Sequence, residues 1–266
     1  MNLHKGEEDA LKENQILNEL QSLYTVWLRD IVRVRRDRTQ ILGSLARPIL
    51  WLLFLGVGMG PVFHSDTNIP YMHYIFPGII AMNLLFASFL SAISIIWDRE
   101  FGFLKEILVA PVSRSSIAFG KAASGSTIAV IQGLVVIAFA PIVHIPLTVR
   151  AVLLLLPSMF LVAFTCTSMG IVLASRMTSF EGFGTIANFV IMPMFFLSGG
   201  IFPLDRLPMW LKILTRLNPL TYGVDQFRWV LYGAHHFPIA FNLSFNIVFS
   251  TLMLVLSVWM FKRSPA

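Results

Sequence analysis

The chain has 266 residues, of which 56% are hydrophobic and only 13% charged, with a mean hydropathy of +0.74, a formal net charge of +6 and a sequence pI near 9.8. That balance leaves too little polar surface to cover a soluble domain. The basic residues flank apolar blocks instead of lining one groove, so the charge argues against nucleic acid as a partner.

The first residues, MNLHKGEEDALKENQILNEL, lack the basic and apolar regions of a cleaved signal, so the first membrane segment is expected to direct insertion. Leu17, Leu20, Tyr24, Trp27, Ile31 and Val34 then recur at spacings of three and four, with Arg29, Arg33 and Arg36 on other faces. This predicts an amphipathic helix. Its aromatic residues suit the headgroup region and its arginines suit anionic lipid, so it is expected to lie along the inner membrane surface. Packing on a partner subunit is the alternative.

Six apolar blocks follow, at 43–63, 74–97, 116–143, 150–175, 183–201 and 240–261. Each approaches the length that a helix rising ~1.5 Å per residue needs to cross ~30 Å of hydrocarbon. Alternation over about ten residues, the mark of a membrane barrel, is missing. The expected fold is therefore all-α and integral to the membrane, with six transmembrane helices: residues 1–39 form a cytoplasmic N-terminal segment and 40–266 one membrane domain. With both termini in the cytoplasm, the outer side receives only Arg150, Arg206, Lys212, Arg216 and Arg228 of the 20 basic residues. The positive-inside bias thus favours a multi-pass protein with both ends inside. Cys166, the single cysteine, falls within an apolar run and reads as packing.

Between the second and third blocks the sequence WDREFGFLKEILVAPVSR, residues 97–114, interrupts the oil. Asp98 is predicted to cap a short helix that Pro111 ends. Phe101, Leu104 and Leu108 share one side of it, reinforced by Phe103 and Ile107, while Arg99, Glu100, Lys105 and Glu106 supply charge. An apolar face in the cytosol requires the bilayer or another protein to cover it.

The segment 198–239 is too long and patterned for a simple loop, yet too charged and too rich in proline to span, with Pro203 near its start. Trp210, Leu211, Leu214 and Leu217 fall on one side of a helix that Asn218-Pro219 breaks, and Tyr222 to Tyr232 begins another. The pattern predicts a helical hairpin dipping into the outer leaflet.

No catalytic constellation assembles. There is neither a GxxxxGK[ST] phosphate loop nor an HExxH or clustered His/Cys set, and no nucleophile pairs with a histidine at membrane depth. Neither a metal nor any other cofactor is expected in this chain. Polar residues inside the apolar blocks are Asn83, Gln132, Thr165, Thr167 and Asn188, read as interhelical packing ahead of substrate contact. With Phe86, Phe89, Met192 and Phe196, Asn83 and Asn188 are candidates for an apolar substrate path, a role that packing explains equally well. No acidic residue or lysine is expected at mid-membrane, so the energy for any transport would come from elsewhere. A self-contained carrier or channel is the competing reading.

Three passages, YIFPGIIAMNLLFASF at 74–89, REFGFLKEILVAPVSRSSIAFGK at 99–121 and FFLSGGIFPLDRLPMWLKILTRLNPLTYGVDQFR at 195–228, resemble the membrane subunits of type-2 ATP-binding-cassette exporters. The middle one is similar to the cytoplasmic R-E-x-G-T-x-E-x-L-x-x-(A/T)-P motif of these permeases, with Phe103 in place of the usual small polar residue. The last is similar to their outer re-entrant hairpin with its N-P-x-x-Y turn, here Asn218, Pro219 and Tyr222. The resemblance implies a permease of the bacterial inner membrane, working as two copies with separate ATPase subunits that hold ATP and magnesium. It further implies that Arg99, Glu100, Phe101, Gly102, Leu104, Glu106, Leu108 and Pro111 belong to a coupling helix on the ATPase. A small amphipathic, drug-like or lipid-linked molecule would be the cargo.

Overall fold

The computed structural model describes residues 2–36, 46, 48–58, 70–101, 113–145, 147–204 and 207–263. Among these the regular structure is entirely helical. Helix α1 is Asn2–Arg36, and α2 covers 48–58 with a π-helical stretch, Leu52–Val57. Then come α3 (Tyr71–Glu100), α4 (Arg114–Ala138), a 3₁₀ turn (Ala140–Val143), α5 (Val149–Arg176) and α6 (Phe180–Phe196). The last three are α7 (Met209–Leu217), α8 (Pro219–Tyr232) and α9 (Ile239–Arg263).

Helices α3, α4, α5 and α9 are long and apolar enough to cross a membrane, and α6 is a shorter apolar helix of 17 residues. The first apolar block lies only partly among the described residues. The short amphipathic helix expected within 97–114 falls mostly outside them, at 102–112.

Hydroxyl side chains set three of the helix starts. Ser113 Oγ accepts from Ser116 N at 3.1 Å, Thr148 Oγ1 from Ala151 N at 3.2 Å and Ser179 Oγ from Gly182 N at 3.2 Å. Each supplies an acceptor to one of the amide groups that a first turn leaves without a partner. Helix α4 therefore starts at Arg114, and the polar residues Gly120, Lys121, Ser124 and Gly125 are inside a continuous helix.

Helix α3 is apolar on every side and is accordingly the centre of the bundle. It packs against α2, α4, α5, α6 and α8, while α5 also packs against α4, α8 and α9. Ile75, Ile79, Ile80, Leu84, Leu85 and Phe89 are enclosed. At 30 residues α3 is about 45 Å long, enough to carry its last turns beyond ~30 Å of hydrocarbon. Helix α9 lies at the periphery, with Ile247, Val248, Leu252 and Val255 exposed, as lipid-facing residues would be.

The expected apolar stripe of α1 is divided between two faces. Leu23, Val26, Trp27 and Asp30 turn toward α4, where Trp27 Nε1 donates to Thr127 Oγ1 at 3.1 Å. Leu17, Leu20 and Tyr24 stay exposed beside Leu28 and Val32. The periodicity predicts an amphipathic helix and the segment is helical, but it could not assign Asp30 to the buried face.

Near the other end of the bundle, α3 meets the turn after α6 backbone to backbone. A methyl group on Gly78 would lie 2.5 Å from the Gly200 carbonyl oxygen and 2.6 Å from its Cα. Neither backbone can yield without moving a helix. Gly78→Ala is therefore expected to cost about 1–3 kcal/mol, the range for overpacking a filled interior. Gly184→Ala, where an added methyl meets nothing within 4 Å, should not lower stability. Thermal unfolding of the two variants in the same detergent checks this.

Candidate functional site

Five elements meet at the basic end of the bundle: the second half of α1, the last turns of α3, the first turns of α4, the end of α5 and the start of α6. The centre is Lys121, whose side chain is 4% exposed. Its Nζ lies 2.8 Å from Asp98 Oδ2, 3.1 Å from Asp30 Oδ2 and 3.0 Å from Ser94 Oγ. Arg29 donates to Asp98 Oδ2 at 2.7 Å, and Ser124 Oγ donates to Asp30 Oδ2 at 3.0 Å. Two cations thus balance two carboxylates, as burial of charge requires.

Burial alone would lower the affinity of the Arg29 guanidinium for its proton, but Asp98 and Asp30 outweigh it and hold the group above its ordinary range. A small polar cavity of about 70 Å³ beside Asp30, Ser94 and Ser124 is large enough to admit water.

Arg99 leaves the cluster in the opposite direction. It donates to the carbonyls of Met177 at 2.7 Å and Ser175 at 2.9 Å, groups that the end of α5 leaves unpaired. Trp97 stacks on Phe101 at 5.1 Å, meets Phe180 at 4.9 Å and lies under Arg33 at 5.3 Å. Phe101 remains 60% exposed, and Glu100 is exposed too. Of the expected coupling residues, Arg99, Glu100 and Phe101 therefore sit at the root of the segment. Gly102, Leu104, Glu106, Leu108 and Pro111 lie outside the described residues.

Asp98 does not cap a new helix: α3 continues to Glu100, and the Asp98 carboxylate is occupied by Arg29 and Lys121.

The candidate path residues separate. Asn83, Phe86 and Phe89 are buried in the core, whereas Asn188, Met192 and Phe196 lie on the exposed face of α6. The opposite face of α6, Phe183, Ala187, Ile191 and Phe195, meets the core. Within one chain the two sets are not on a common surface.

The hairpin residues do come together. Pro203 is half-buried in the turn after α6, and Pro219 occupies the first turn of α8, where its missing N–H is harmless. Asn218 Oδ1 accepts from Leu220 N at 3.0 Å while its Nδ2 donates to the Met194 carbonyl at 2.6 Å. Tyr222 OH donates to the Arg216 carbonyl at 2.7 Å, and its ring packs against Phe237, Phe241 and Phe245. The N-P-x-x-Y spacing thus ties α7 and α8 to each other and to α6.

Sequence reasoning missed Asp30, Lys121, Asp225, Asn242 and Asn246. Asp225 is buried and accepts from His236 N, Phe237 N and Asn242 Nδ2 at 2.7, 2.9 and 2.8 Å. Lys121 inside an apolar block, and Asp30 four residues from both Val26 and Val34, were the available signals.

Among the described residues no group of three or more His, Cys, Asp or Glu could hold a metal ion.

Long apolar helices round a central α3, with a charge-locked end and a short helical hairpin near the other, define a multi-pass helical membrane protein. The family model for the ABC-2 type transporter matches residues 21–232, and the chain belongs to that family. It is 29% identical over 247 residues to the putative transport permease ycf38 of Cyanophora paradoxa, covering 89% of this chain and 85% of that protein. It is 25% identical over 244 residues to nodulation protein J of Rhizobium leguminosarum bv. viciae, covering 90% and 93%. To the inner membrane transport permease YadH of Escherichia coli strain K12 it is 24% identical over 233 residues, covering 86% and 90%.

Two stability predictions follow from this geometry. Lys121→Met leaves two buried carboxylates facing only Arg29 and should cost about 3–5 kcal/mol. Adding Asp98→Asn should recover part of that loss, with a coupling of about 0.5–3 kcal/mol in a double-mutant cycle on detergent-solubilised protein. Asn218→Ala removes a cap and the link to Met194 and should cost about 1–3 kcal/mol in the same assay.

Proposed function

We propose that this chain is the membrane-spanning subunit of an exporter driven by a separate ATP-binding-cassette ATPase. Two copies form the translocation unit, each with six spans and both termini in the cytoplasm, and the assembly resides in the bacterial inner membrane. ATP and magnesium are held by the partner subunit. ATPase closure pushes the segment from Arg99 to Pro111 and shifts the membrane halves between inward- and outward-facing states.

The observation that carries this reading is the convergence of α1, α3, α4 and the α5–α6 junction on the root of that segment. Phe101 projects from this base with most of its surface uncovered, open to bilayer or protein. The exposed face of α6, with Asn188, Phe189, Met192 and Phe196, suits a second copy enclosing an apolar path. An amphipathic, drug-like or lipid-linked molecule is the cargo that such a path would take. Two of the relatives, ycf38 and YadH, are named as transport permeases, and family membership makes the ATPase the natural occupant of the docking face.

Co-expression of the tagged chain with an ATP-binding-cassette ATPase encoded beside it tests the assignment. The pair should copurify, and Phe101→Ser with Leu104→Ser, or Glu100→Lys with Glu106→Lys, should reduce recovery of the ATPase by about tenfold while membrane insertion is unchanged. Undiminished recovery would refute the docking face. Uptake by vesicles containing this chain alone would favour the self-contained carrier.

A further inference from the structure

We propose that Asp30 and Lys121 are positioning residues for coupling, clamping the amphipathic helix α1 to the root of segment 102–112 so that α1, α3 and α4 move as one body. The inference rests on the reading of that segment as the ATPase contact.

The cluster has the topology of a closed triangle. Asp30 on α1 meets Lys121 and Ser124 on α4. Asp98 on α3 meets Lys121 on α4, and Arg29 on α1 meets Asp98 on α3. Each pair of helices therefore has its own charge contact. Ser94 adds a further bond from α3 to the Lys121 ammonium, so all three of its protons have acceptors.

Such a cluster is a poor device for stability alone, because well-packed apolar residues would serve as well or better. Its special property is specificity of position: separating any two of these helices breaks an ion pair and leaves two charges with one counterion fewer in a buried setting. Small relative shifts are therefore penalised steeply, and displacement of one helix is passed to the other two.

The cluster is also placed where displacement would enter. Asp98 is four residues before Gly102, at the covalent root of the segment, and Arg99 carries the same root to the end of α5. Behind the cluster, Gly120 admits α1 to close contact: a methyl group there would lie 3.1 Å from Val26 Cβ and 3.1 Å from the Leu23 carbonyl oxygen. At Gly120 the two helices are therefore in close contact. The exposed stripe of Leu17, Leu20, Tyr24, Leu28 and Val32 then places the moving body against lipid on its far side. A push on segment 102–112 is delivered to the membrane surface through α1 as well as to the spans.

A disulfide reporter tests the clamp in two arms. In a Cys166→Ala background, the pair Val26→Cys and Gly120→Cys brings two Cβ atoms near the ~3.5–4.5 Å spacing a disulfide adopts. In membranes containing this chain alone, oxidant-driven bridging is expected to be rapid. Asp30→Asn should slow it by about tenfold, because it opens the α1–α4 side of the triangle. Asp98→Asn removes an equal charge but leaves that side closed, and should keep the rate within about threefold. Equal effects of the two substitutions, or none from Asp30→Asn, would overturn the clamp whether or not an ATPase binds.

The second arm uses the complex with its copurified ATPase. With Asp30 intact, bridging should proceed equally fast in the nucleotide-free and ATP–vanadate-trapped states. With Asp30→Asn the two states should differ by about threefold or more, since α1 no longer follows the root of the segment. A state-dependent rate with Asp30 intact would overturn the single-body claim, as would a state-independent rate with Asp30→Asn. Failure of any ATPase to copurify would count against the exporter reading and leave the first arm to judge the clamp itself.

Discussion

The ammonium of Lys121, removed from water and set between the carboxylates of Asp30 and Asp98, is the constraint on which the basic end of this molecule depends. Burying one charge alone would be prohibitive; burying Lys121 with two carboxylates, and setting the more exposed Arg29 against them, is tolerable because no member is left without a counterpart. The arrangement dictates the rest of the neighbourhood. Helix α4 must be glycine- and serine-rich to let α1 approach, α3 must run on to Glu100 to deliver Asp98, and α1 must turn an acidic residue toward the bundle. Arg99, the next residue, caps the end of α5 beside the start of α6.

The two ends of the bundle solve the same problem differently. At the basic end, opposite charges satisfy each other. Near the far end, backbone groups do much of the work: Asn218, Thr221 and Tyr222 bind carbonyls of the hairpin and of the chain leaving α6, and Arg228 donates to the Gly199 carbonyl at 2.5 Å while its guanidinium sits 4.1 Å above Tyr74. Irregular backbone buried inside a protein needs the protein to supply its hydrogen bonds. The result is a bundle fixed at both ends round an apolar α3, a suitable body for a permease that must change shape without exposing its core.

Much of this was legible in the sequence because membrane insertion imposes strong one-dimensional rules. Blocks of apolar residues located α3, α4, α5, α6 and α9, and proline with asparagine located the break between α7 and α8. The spacing of Asn218 and Tyr222 was legible as a motif, and its structure supplies the reason: an end cap plus a tether to α6. What failed was anything requiring two distant residues to be seen together. Lys121 and Asp30 carried no assigned role, since their meaning lies in a contact 91 residues apart in the chain. Asp98 was assigned a local role, helix capping, because local rules are all that sequence periodicity offers. Asn188 and Asn83 looked alike as amides in apolar runs, but only helix packing puts one outside and the other inside.

The buried Asp225 has a consequence for the order in which the protein is made. Its three donors belong to residues 236, 237 and 242, all translated after it and the last already within α9. Until residues 236–242 have been made, the carboxylate lacks its full set of native donors. The native setting of Asp225 at the end of α8 therefore waits on the turn after it and on the first residues of α9.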